Sequence, residues 1–339
     1  RGLGDVYKRQ DLHSADGLVE FVEALQPTFA GINLEDISQP KCFEVLDRLR
    51  ASASIPVWHD DQQGTATVVV AALTNALGAV GKSVDDVQIA LVGMGAANVA
   101  VHRLLRAVGA DPAHMVACDS GGILHRGRGD IEQVQDRYRD KWEVCTTTNA
   151  EQRTGGIAEA LVGADVCIAF SAPGPGTIAP EWVAAMAPGA VVFACANPVP
   201  EIWPWDAEAA GAQVVSTGRS DFPNQVNNSL AFPGIFRGVL DVGATAISDE
   251  MALAAADVLA RFAEQRGLEH GLLPTMAEWD VVPEVAVATA TTAQRQGLAP
   301  PDRSADELRE AAHARIAATR ETMVVLIEQG IIPGPPAPA

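Results

Sequence analysis

The chain has 339 residues, of which 48% are hydrophobic and 20% are charged, a balance that is ordinary for a globular protein. A chain of this length can bury a sizeable core and is expected to form one large or two smaller domains. Its formal net charge of −19 opposes binding to phosphate backbones and anionic lipid surfaces, so we expect neither nucleic-acid nor membrane partners.

Two acidic segments lie near the start of the chain, each after a short apolar stretch. The first contains Glu35 and Asp36, the second contains Asp60 and Asp61, and each stands where a strand would end. Four carboxylates at neighbouring strand ends repel one another unless a cation joins them. Mg²⁺ or Mn²⁺ would do so, because these ions prefer oxygen ligands and keep positions open for water or substrate. The alternative is two exposed loops whose acids are simply solvated.

The chain that follows predicts a buried helix and then a repeated strand and helix pattern. Residues 65–81 are uncharged but fall short of the roughly 20 apolar residues of a membrane span. From residue 87 onward, short apolar runs alternate with amphipathic stretches, which indicates a parallel sheet covered by helices. We predict strands at 87–92, 115–118, 166–170, 190–194 and 213–216, and helices near 97–108, 150–161 and 180–186. Beyond residue 233 the apolar periodicity predicts helices near 235–246, 249–265, 282–294 and 304–329.

A glycine-containing turn follows the first predicted strand of this sheet. Its glycines, Gly93 and Gly95, would allow a tight turn and a close approach of the backbone to a pyrophosphate, whose charge the next helix N-terminus would meet. Asn98 stands at the third glycine position, a departure from the usual pattern. Asp119 ends the next strand, where an acid can accept hydrogen bonds from the adenosine ribose of a dinucleotide. The alternative for the glycines is an ordinary strand-to-helix turn.

The identity of the dinucleotide stays open. The acid at Asp119 favours NAD over NADP, because it would repel a 2′-phosphate. The nearby Arg126 and Arg128 weaken that preference.

Two later loops offer uncharged polar side chains at predicted strand ends. Asn197 follows the strand at 190–194, and Asn227 and Asn228 come after the strand at 213–216. Amides suit a small carboxylate or the carboxamide of nicotinamide, since they both donate and accept hydrogen bonds. Taken singly, each is more often a turn residue or a helix cap than a ligand.

The cysteines indicate a reducing environment. The chain has five of them, an odd number, and no two are spaced like a zinc knuckle. Three lie in apolar runs, so we expect buried reduced thiols in a cytoplasmic protein; these are Cys118, Cys167 and Cys195.

With these features in order, the sequence resembles the malic enzymes, particularly the shorter bacterial type. The matching stretches lie at residues 31–37, 55–66, 196–198, 217–228 and 232–238, within a coverage of about 11 to 330. The resemblance implies an α/β fold: a doubly wound parallel-sheet dinucleotide-binding domain, the remnant of an N-terminal metal and substrate domain, and C-terminal helices. It also implies a homodimer or a higher homo-oligomer.

The resemblance implies oxidative decarboxylation of L-malate to pyruvate and CO₂, with reduction of NAD⁺ or NADP⁺. The ligands of Mg²⁺ or Mn²⁺ would then be Glu35, Asp36 and Asp61, with Asp60 as a supporting catalytic residue. Asn197 and Asn228 would hold the substrate and the nicotinamide end of the cofactor, with Asn227 alongside. The residues that carry the pyrophosphate would be Gly93, Gly95, Ala96 and Ala97.

One departure from the family concerns proton transfer. The family's general-base lysine and proton-donor tyrosine lie well upstream of the first acidic segment. Only Lys8 and Tyr7 precede that segment here, within residues 1–10, which match no family stretch and which we expect to be a foreign junction. We therefore expect the chain as given to bind the cofactor at best moderately and not to turn over malate.

The resulting division of the chain places a non-native segment at 1–10 and the metal domain remnant at 11–65. The dinucleotide-binding domain covers 66–246, C-terminal helices cover 247–330, and a disordered tail covers 331–339. Three rival functions remain. They are a malolactic-type decarboxylase that releases lactate, an amino-acid dehydrogenase of the glutamate type that needs no metal, and a non-catalytic cofactor-binding or dimerising scaffold.

Overall fold

The computed structural model describes residues 12–334. The helices are α1 Ala15–Leu25, α2 Lys41–Ser52, α3 Thr65–Val80, α4 Ala96–Ala107, α5 Gly129–Glu132, α6 Arg139–Thr147, α7 Ile157–Leu161, α8 Pro180–Val183, α9 Pro204–Ala209, α10 Phe232–Asp241, α11 Asp249–Arg266, α12 Val281–Arg295 and α13 Ala305–Glu328. The strands are β1 Ile32–Leu34, β2 Val57–His59, β3 Ile89–Val92, β4 Met115–Asp119, β5 Gly122–Ile123, β6 Val166–Ala169, β7 Ala190–Ala194 and β8 Ala212–Thr217.

The larger sheet has the strand order β5-β4-β3-β6-β7-β8. Five strands are parallel, and the two-residue β5 pairs antiparallel with β4 at one edge. The chain leaves β3 toward β4 on one side and later returns to β6 on the other, so the order reverses between β3 and β6. Ligands of such sheets bind outside the carboxyl ends of the strands at this reversal. The predicted doubly wound fold is confirmed, with all five predicted strands in place.

The helix predicted near 150–161 is wrong over its first half. The observed α7 begins only at Ile157, and a separate helix, α6, precedes the loop. Asn149 and Gln152 adopt left-handed φ values of 52° and 54°, and Gly155 has a φ of 117°. No helix can continue through such residues, since a right-handed turn needs negative φ throughout.

A second, two-stranded sheet carries the acidic segments. Strands β1 and β2 pair in parallel, with Leu34 opposite His59, so both acidic segments leave the same edge side by side. Helices α1 and α2 cover this sheet through a small apolar core that includes Val22 and Leu49. The predicted placement of the acids at adjacent strand ends is therefore confirmed.

The second acidic segment runs directly into the core. Residues 60–64 form a π-helical turn between β2 and α3. The continuous helical stretch Asp60–Val80 is long and apolar enough to cross a membrane, but 72% of its apolar window is buried inside the protein. It is thus the central helix of the core, packed against α4 and α11.

The C-terminal helices close over α3 and against one another. Helix α10 packs closely on α12 at two glycines. A Cβ at Gly234 would lie 2.5 Å from Val285 Cγ1, and a Cβ at Gly238 would lie 2.4 Å from the Ala286 carbonyl oxygen, so a larger residue would force the helices apart. Helix α13 is anchored by Leu308 and Ala312 near its start and is exposed toward its end. The predicted segment 1–10 and the end of the predicted tail lie outside the described residues.

Candidate functional site

The two acidic segments are joined by a direct hydrogen bond. The backbone N–H of Asp36 donates to Oδ2 of Asp61 at 2.8 Å. Asp36 adopts a left-handed φ of 58°, which turns the chain sharply after β1. Glu35 and Asp36 are exposed, while Asp61 is half-buried at the base of the loop.

Asp60 lies behind these residues, only 3% exposed. Its Oδ2 accepts a 2.7 Å hydrogen bond from Asn228 Nδ2, and Trp58 Nε1 lies 3.4 Å from Oδ1. Burial raises the pKa of Asp60 to about 6; the Trp58 indole opposes the shift, and the negative charges of Glu35 and Asp61 add to it. The acids are therefore close enough to repel one another, as the sequence predicted.

The π-helical turn brings backbone unusually close to Asp60. A Cβ at Gly64 would lie 2.2 Å from Asp60 Oδ1, so only glycine fits there. His59 is fully buried, and burial lowers its pKa even though the charge of Asp61 opposes this, so its imidazole is neutral at neutral pH. The Gln63 side-chain oxygen accepts from the His59 backbone N–H at 3.1 Å, which fixes the start of the turn.

The glycine turn after β3 has the geometry of a phosphate cradle. Gly93 has a φ of 86°, and a Cβ there would lie 2.4 Å from the Phe170 carbonyl oxygen. Gly95 is the N-cap of α4, and a Cβ built on it meets no atom within 4 Å. Open space in front of a helix N-terminus is where a pyrophosphate would bind, so the residues present fit a dinucleotide.

Asn98 occupies the third glycine position and has a structural role that the sequence did not reveal. The side chain is fully buried. Its Nδ2 lies 3.1, 2.7 and 3.2 Å from the carbonyl oxygens of Val92, Gly93 and Ile168. The amide thus ties β3, the glycine turn and β6 together directly beneath the predicted cofactor.

A cleft of about 390 Å³ opens at the carboxyl edge of the larger sheet. Seven of its lining residues belong to the predicted site or stand beside it: Asp61, Gly95, Ala96, Ala97, Asn197, Asn227 and Asn228. The sequence-predicted residues Glu35, Asp36, Gly93 and Asp119 do not line this cleft, and Asp60 reaches it through Asn228. A second cavity of about 230 Å³, beside Gln88 and His114, contains none of the predicted residues.

The asparagine side chains at the cleft differ in the hydrogen bonds that they already make. The Oδ1 of Asn227 accepts from the Ser229 backbone N–H at 2.9 Å, so this residue caps a short 3-10 turn, as one alternative held. Asn228 holds Asp60, and Asn197 is exposed on the cleft wall. Gly218 leaves room for Asn197, since a Cβ at that glycine would lie 3.0 Å from Asn197 Nδ2.

Glu201 is a buried acid that sequence reasoning missed. Its side chain is fully buried, and it accepts hydrogen bonds from the Ser171 backbone N–H at 2.8 Å and the Ser171 hydroxyl at 3.0 Å. Its other oxygen accepts from the Ala196 backbone N–H at 3.0 Å. Glu201 therefore joins the loops after β6 and β7, the second of which carries Asn197.

Asp119 is engaged within the protein rather than open to a ligand. Its Oδ1 accepts from the Gly121 backbone N–H at 2.9 Å and from Arg128 Nη1 at 3.1 Å. Its Oδ2 accepts from Lys141 Nζ at 3.0 Å. Burial alone raises the pKa of Asp119, but the hydrogen bonds from Arg128, Lys141 and Gly121 outweigh it, and the pKa lies below its ordinary value.

The predicted metal ligands lie near one another but do not form a complete coordination site. Within residues 12–334, no three His, Cys, Asp or Glu side chains are arranged to hold a metal ion. The donor set around Asp61 is nevertheless carboxylate oxygen, which fits Mg²⁺ or Mn²⁺ and not a soft metal. The ligand assignment to Glu35, Asp36 and Asp61 therefore stays a prediction.

The lysines and the tyrosine of residues 12–334 lie away from the cleft. Lys41 donates to the His13 carbonyl oxygen at 3.0 Å, and Lys82 donates to Asp165 at 2.6 Å. Lys141 and Tyr138 lie together beside Asp119. Tyr7 and Lys8 lie outside the described residues.

Comparison with protein families gives two matches. The family described as "Malic enzyme, NAD binding domain" matches residues 62–294, and "Malic enzyme, N-terminal domain" matches residues 4–50. The chain belongs to the malic enzyme family. The second match includes part of the segment 1–10, which the bare sequence led us to expect to be foreign, and the predicted boundary near residue 65 lies close to the start of the first.

Individual malic enzymes are similar over most of the chain. The bifunctional malic/malolactic enzyme of Bacillus subtilis is 45% identical over 85% of this chain and 68% of its own length. The NAD-dependent malic enzyme of Geobacillus stearothermophilus is 42% identical over 86% of this chain and 59% of its own length. The chain thus spans between about three-fifths and two-thirds of these two relatives.

Solved malic enzyme structures share the fold. That of Entamoeba histolytica superimposes with a TM-score of 0.92 at 46% identity, covering 97% of this chain and 68% of that one. The Pyrococcus horikoshii enzyme gives a TM-score of 0.87 at 42% identity, covering 93% and 73%. The α/β malic enzyme fold, with its NAD-binding domain, is therefore confirmed.

Proposed function

We propose that this malic enzyme chain supplies the cofactor-binding and metal-binding parts of an enzyme that oxidatively decarboxylates L-malate with NAD⁺ or NADP⁺. The observation that carries the proposal is the single cleft in which Asp61, the turn at Gly95 and the amide of Asn197 face one another. A metal-binding acid, a phosphate cradle and an uncharged donor and acceptor together suit a small carboxylate substrate beside a dinucleotide.

Each part of the site has a defined task in this proposal. The backbone N–H groups at the start of α4 would bind the pyrophosphate, and Asn197 would orient the substrate or the nicotinamide. Asp61, with Glu35 and Asp36, would hold Mg²⁺ or Mn²⁺. When bound, the cation would supply Lewis-acid polarisation of the substrate oxygens, and the dinucleotide would supply a hydride acceptor.

Asp60 would act through the residues that it positions. It accepts a hydrogen bond from Asn228 Nδ2 at 2.7 Å, which fixes one wall of the cleft. The negative charges of Glu35 and Asp61 create a field across the loop edge, which helps to raise the pKa of Asp60. A cation bound there would neutralise that field, so metal and protein stabilise each other.

Titration calorimetry of this chain with Mn²⁺ and with NAD⁺ tests the proposal directly. We expect both to bind, and Asp61→Asn to abolish Mn²⁺ binding while NAD⁺ binding remains. Asp257→Asn is the matched control, because Asp257 is an exposed acid on α11 that pairs with Arg261 and does not line the cleft. Mn²⁺ binding that survives Asp61→Asn would refute the assignment.

The second part of the test measures the turnover of malate. Without a lysine or tyrosine from the described residues in the cleft, we expect malate and Mn²⁺ to yield no NADH or NADPH with this chain. A rate equal to that of a complete relative would overturn that expectation, because general acid and base groups typically contribute roughly 10² to 10⁴-fold.

A malolactic reaction is the second candidate function. The Bacillus subtilis relative is named as a bifunctional malic/malolactic enzyme, which favours keeping this alternative. In the complete protein, malate consumed with net NADH formation identifies the malic reaction, whereas lactate without net NADH identifies the malolactic one.

Assembly and location complete the proposal. The family resemblance supports a homodimer or a higher homo-oligomer, which light scattering at several concentrations would test. All five cysteines are unpaired and buried, and burial raises the pKa of Cys42 and Cys118 to about 12. Such inert thiols support a cytoplasmic location, where thiols stay reduced.

A further inference from the structure

The thioether of Met276 contacts the turn that carries one of the cleft asparagines. Met276 lies in the loop between α11 and α12, and its Sδ lies 3.2 Å from the Ser229 hydroxyl oxygen. Ser229 belongs to the short 3-10 turn Asn228–Leu230, in which Asn228 lines the cleft and donates to Asp60. A chemical change at this sulfur therefore acts on the turn that positions Asn228.

The loop around Met276 is fixed to the end of α11. Glu278 Oε2 accepts hydrogen bonds from the Thr275 backbone N–H at 2.7 Å and from Arg266 Nη1 at 2.6 Å. The Glu278 backbone N–H donates in turn to the Thr275 carbonyl oxygen at 3.0 Å. These flanking bonds hold Met276 against Ser229, although Met276 itself is 58% exposed.

Exposure separates Met276 from most other sulfur atoms of the chain. Of the six methionines, only Met276 and Met323 are exposed, and four are buried: Met94, Met115, Met186 and Met251. Met323 lies on α13 and does not line the cleft. All five cysteines are buried, which protects their thiols from oxidants in solution. A peroxide is therefore expected to act first at the two exposed thioethers.

The Ser229 hydroxyl connects the sulfur to the turn, and it has one proton to donate. Asn227 Oδ1 lies 2.6 Å from the hydroxyl oxygen and takes this proton, because a thioether sulfur is only a weak acceptor. The same Oδ1 accepts from the Ser229 backbone N–H at 2.9 Å. A sulfoxide oxygen on Met276 would compete with Asn227 for the proton, because oxidation makes this side chain polar.

We propose that Met276 is an oxidation site through which a peroxide loosens the turn that carries Asn228 and weakens cofactor binding in the cleft. Hydrogen peroxide transfers one oxygen atom to Sδ. The O–O bond breaks and an S–O bond forms, the sulfur is oxidised by two electrons, and the peroxide leaves as water.

The sulfoxide oxygen then accepts the proton of the Ser229 hydroxyl. Asn227 loses one of its two bonds to Ser229, and Asn228 is held less firmly on the cleft wall. A methionine sulfoxide reductase restores the thioether, so the change is reversible. The effect on the cofactor rests on the proposed dinucleotide-binding function, whereas the effect on the turn does not.

The test treats the parent chain, Met276→Leu and Met323→Leu with hydrogen peroxide and follows each methionine by peptide mass spectrometry. Leucine removes the sulfur and keeps an apolar side chain of similar size. Met323→Leu is the matched control, because it lacks the other exposed thioether. Hydrogen exchange of the backbone amides at residues 229–231, which donate within the turn, and calorimetric titration of NAD⁺ are measured before and after treatment.

In the parent chain and in Met323→Leu, peroxide should convert Met276 to the sulfoxide, speed amide exchange at residues 229–231 at least fivefold and weaken NAD⁺ binding at least fivefold. Met276→Leu should show neither change. Ser229→Ala should bind NAD⁺ equally before and after treatment, because the connecting hydroxyl is gone. Methionine sulfoxide reductase should reverse both changes in the parent chain.

Three results would overturn the inference. They are a Met276 that stays reduced, smaller changes in exchange or affinity in the oxidised parent chain, and an equal loss of affinity in treated Met276→Leu. Faster exchange in a chain that binds no NAD⁺ before treatment would instead overturn the proposed function, while the link between Met276 and the turn would stand.

Discussion

Two glycines two residues apart in the cofactor turn should respond in opposite ways to the same added methyl group. Gly93 is constrained by the protein, because its φ is 86° and a Cβ would lie 2.4 Å from the Phe170 carbonyl oxygen. Gly95 is unconstrained, because its φ is −94° and a Cβ added there would have no atom within 4 Å. Gly93→Ala should therefore affect folding, whereas Gly95→Ala should affect ligand binding.

The magnitudes follow from these geometries. Forcing alanine into the left-handed region costs about 1 to 2 kcal/mol, and displacing the backbone of Phe170 adds to that. We therefore expect Gly93→Ala to lower the free energy of unfolding by roughly 2 to 4 kcal/mol. Gly95→Ala should change it by less than about 1 kcal/mol, because alanine fits the extended backbone and only the N-cap preference is lost.

The assay combines urea unfolding with calorimetric titration of NAD⁺. Gly95→Ala should fold normally and bind NAD⁺ at least tenfold more weakly, a loss of about 1.4 kcal/mol, because the methyl group occupies the space of the pyrophosphate. Normal NAD⁺ affinity in Gly95→Ala would refute the assignment of the turn as a phosphate cradle. Normal stability in Gly93→Ala would refute the steric argument.

Three further variants probe the scaffold of the site. Glu201→Gln places an amide N–H against a buried backbone N–H donor, so urea unfolding should show that the free energy of unfolding falls by about 1 to 3 kcal/mol. The exposed Glu208→Gln is the control and should leave it unchanged. Asn98→Asp turns a carboxylate toward three carbonyl oxygens and should cost more than about 3 kcal/mol; retained stability would show that the amide does not tie the turn. Burial lowers the pKa of His102 to about 4. The stability that this neutral histidine contributes is therefore fully present above pH 6.5 and is lost as the pH falls toward 4. His102→Gln should reduce the dependence of the free energy of unfolding on pH between 6.5 and 4 by up to about 3 kcal/mol.

The sequence predicted those parts of the fold that depend on local pattern. Apolar runs placed every strand of the larger sheet except β5, whose two residues are too short to show a period. The acids that follow β1 and β2 could be assigned to the same edge of the smaller sheet, because parallel strands end on the same side. The helix wrongly predicted before α7 shows the limit of this method. Asn149 and Gln152 adopt left-handed φ values that end a helix, and hydrophobic periodicity does not reveal them.

The site residues that sequence reasoning missed act over long chain separations. Glu201 binds Ser171, 30 residues earlier, and Lys141 binds Asp119, 22 residues earlier. No spacing rule connects such pairs, because the sheet and not the chain brings them together. For the same reason Asp119 could be placed at its strand end but not recognised as already paired.

The passage from β2 through the π-helical turn into α3 has a consequence for building hybrid enzymes. No loop separates the acid-bearing unit from the nucleotide-binding unit, so there is no linker at which two relatives could be spliced. A junction at residue 65 would divide the helix whose side chains fill the centre of the core. A chimera that keeps residues 57–80 as one block, joined instead in the exposed turns near residues 54 and 83, would transfer the acidic loop together with the helix that holds it.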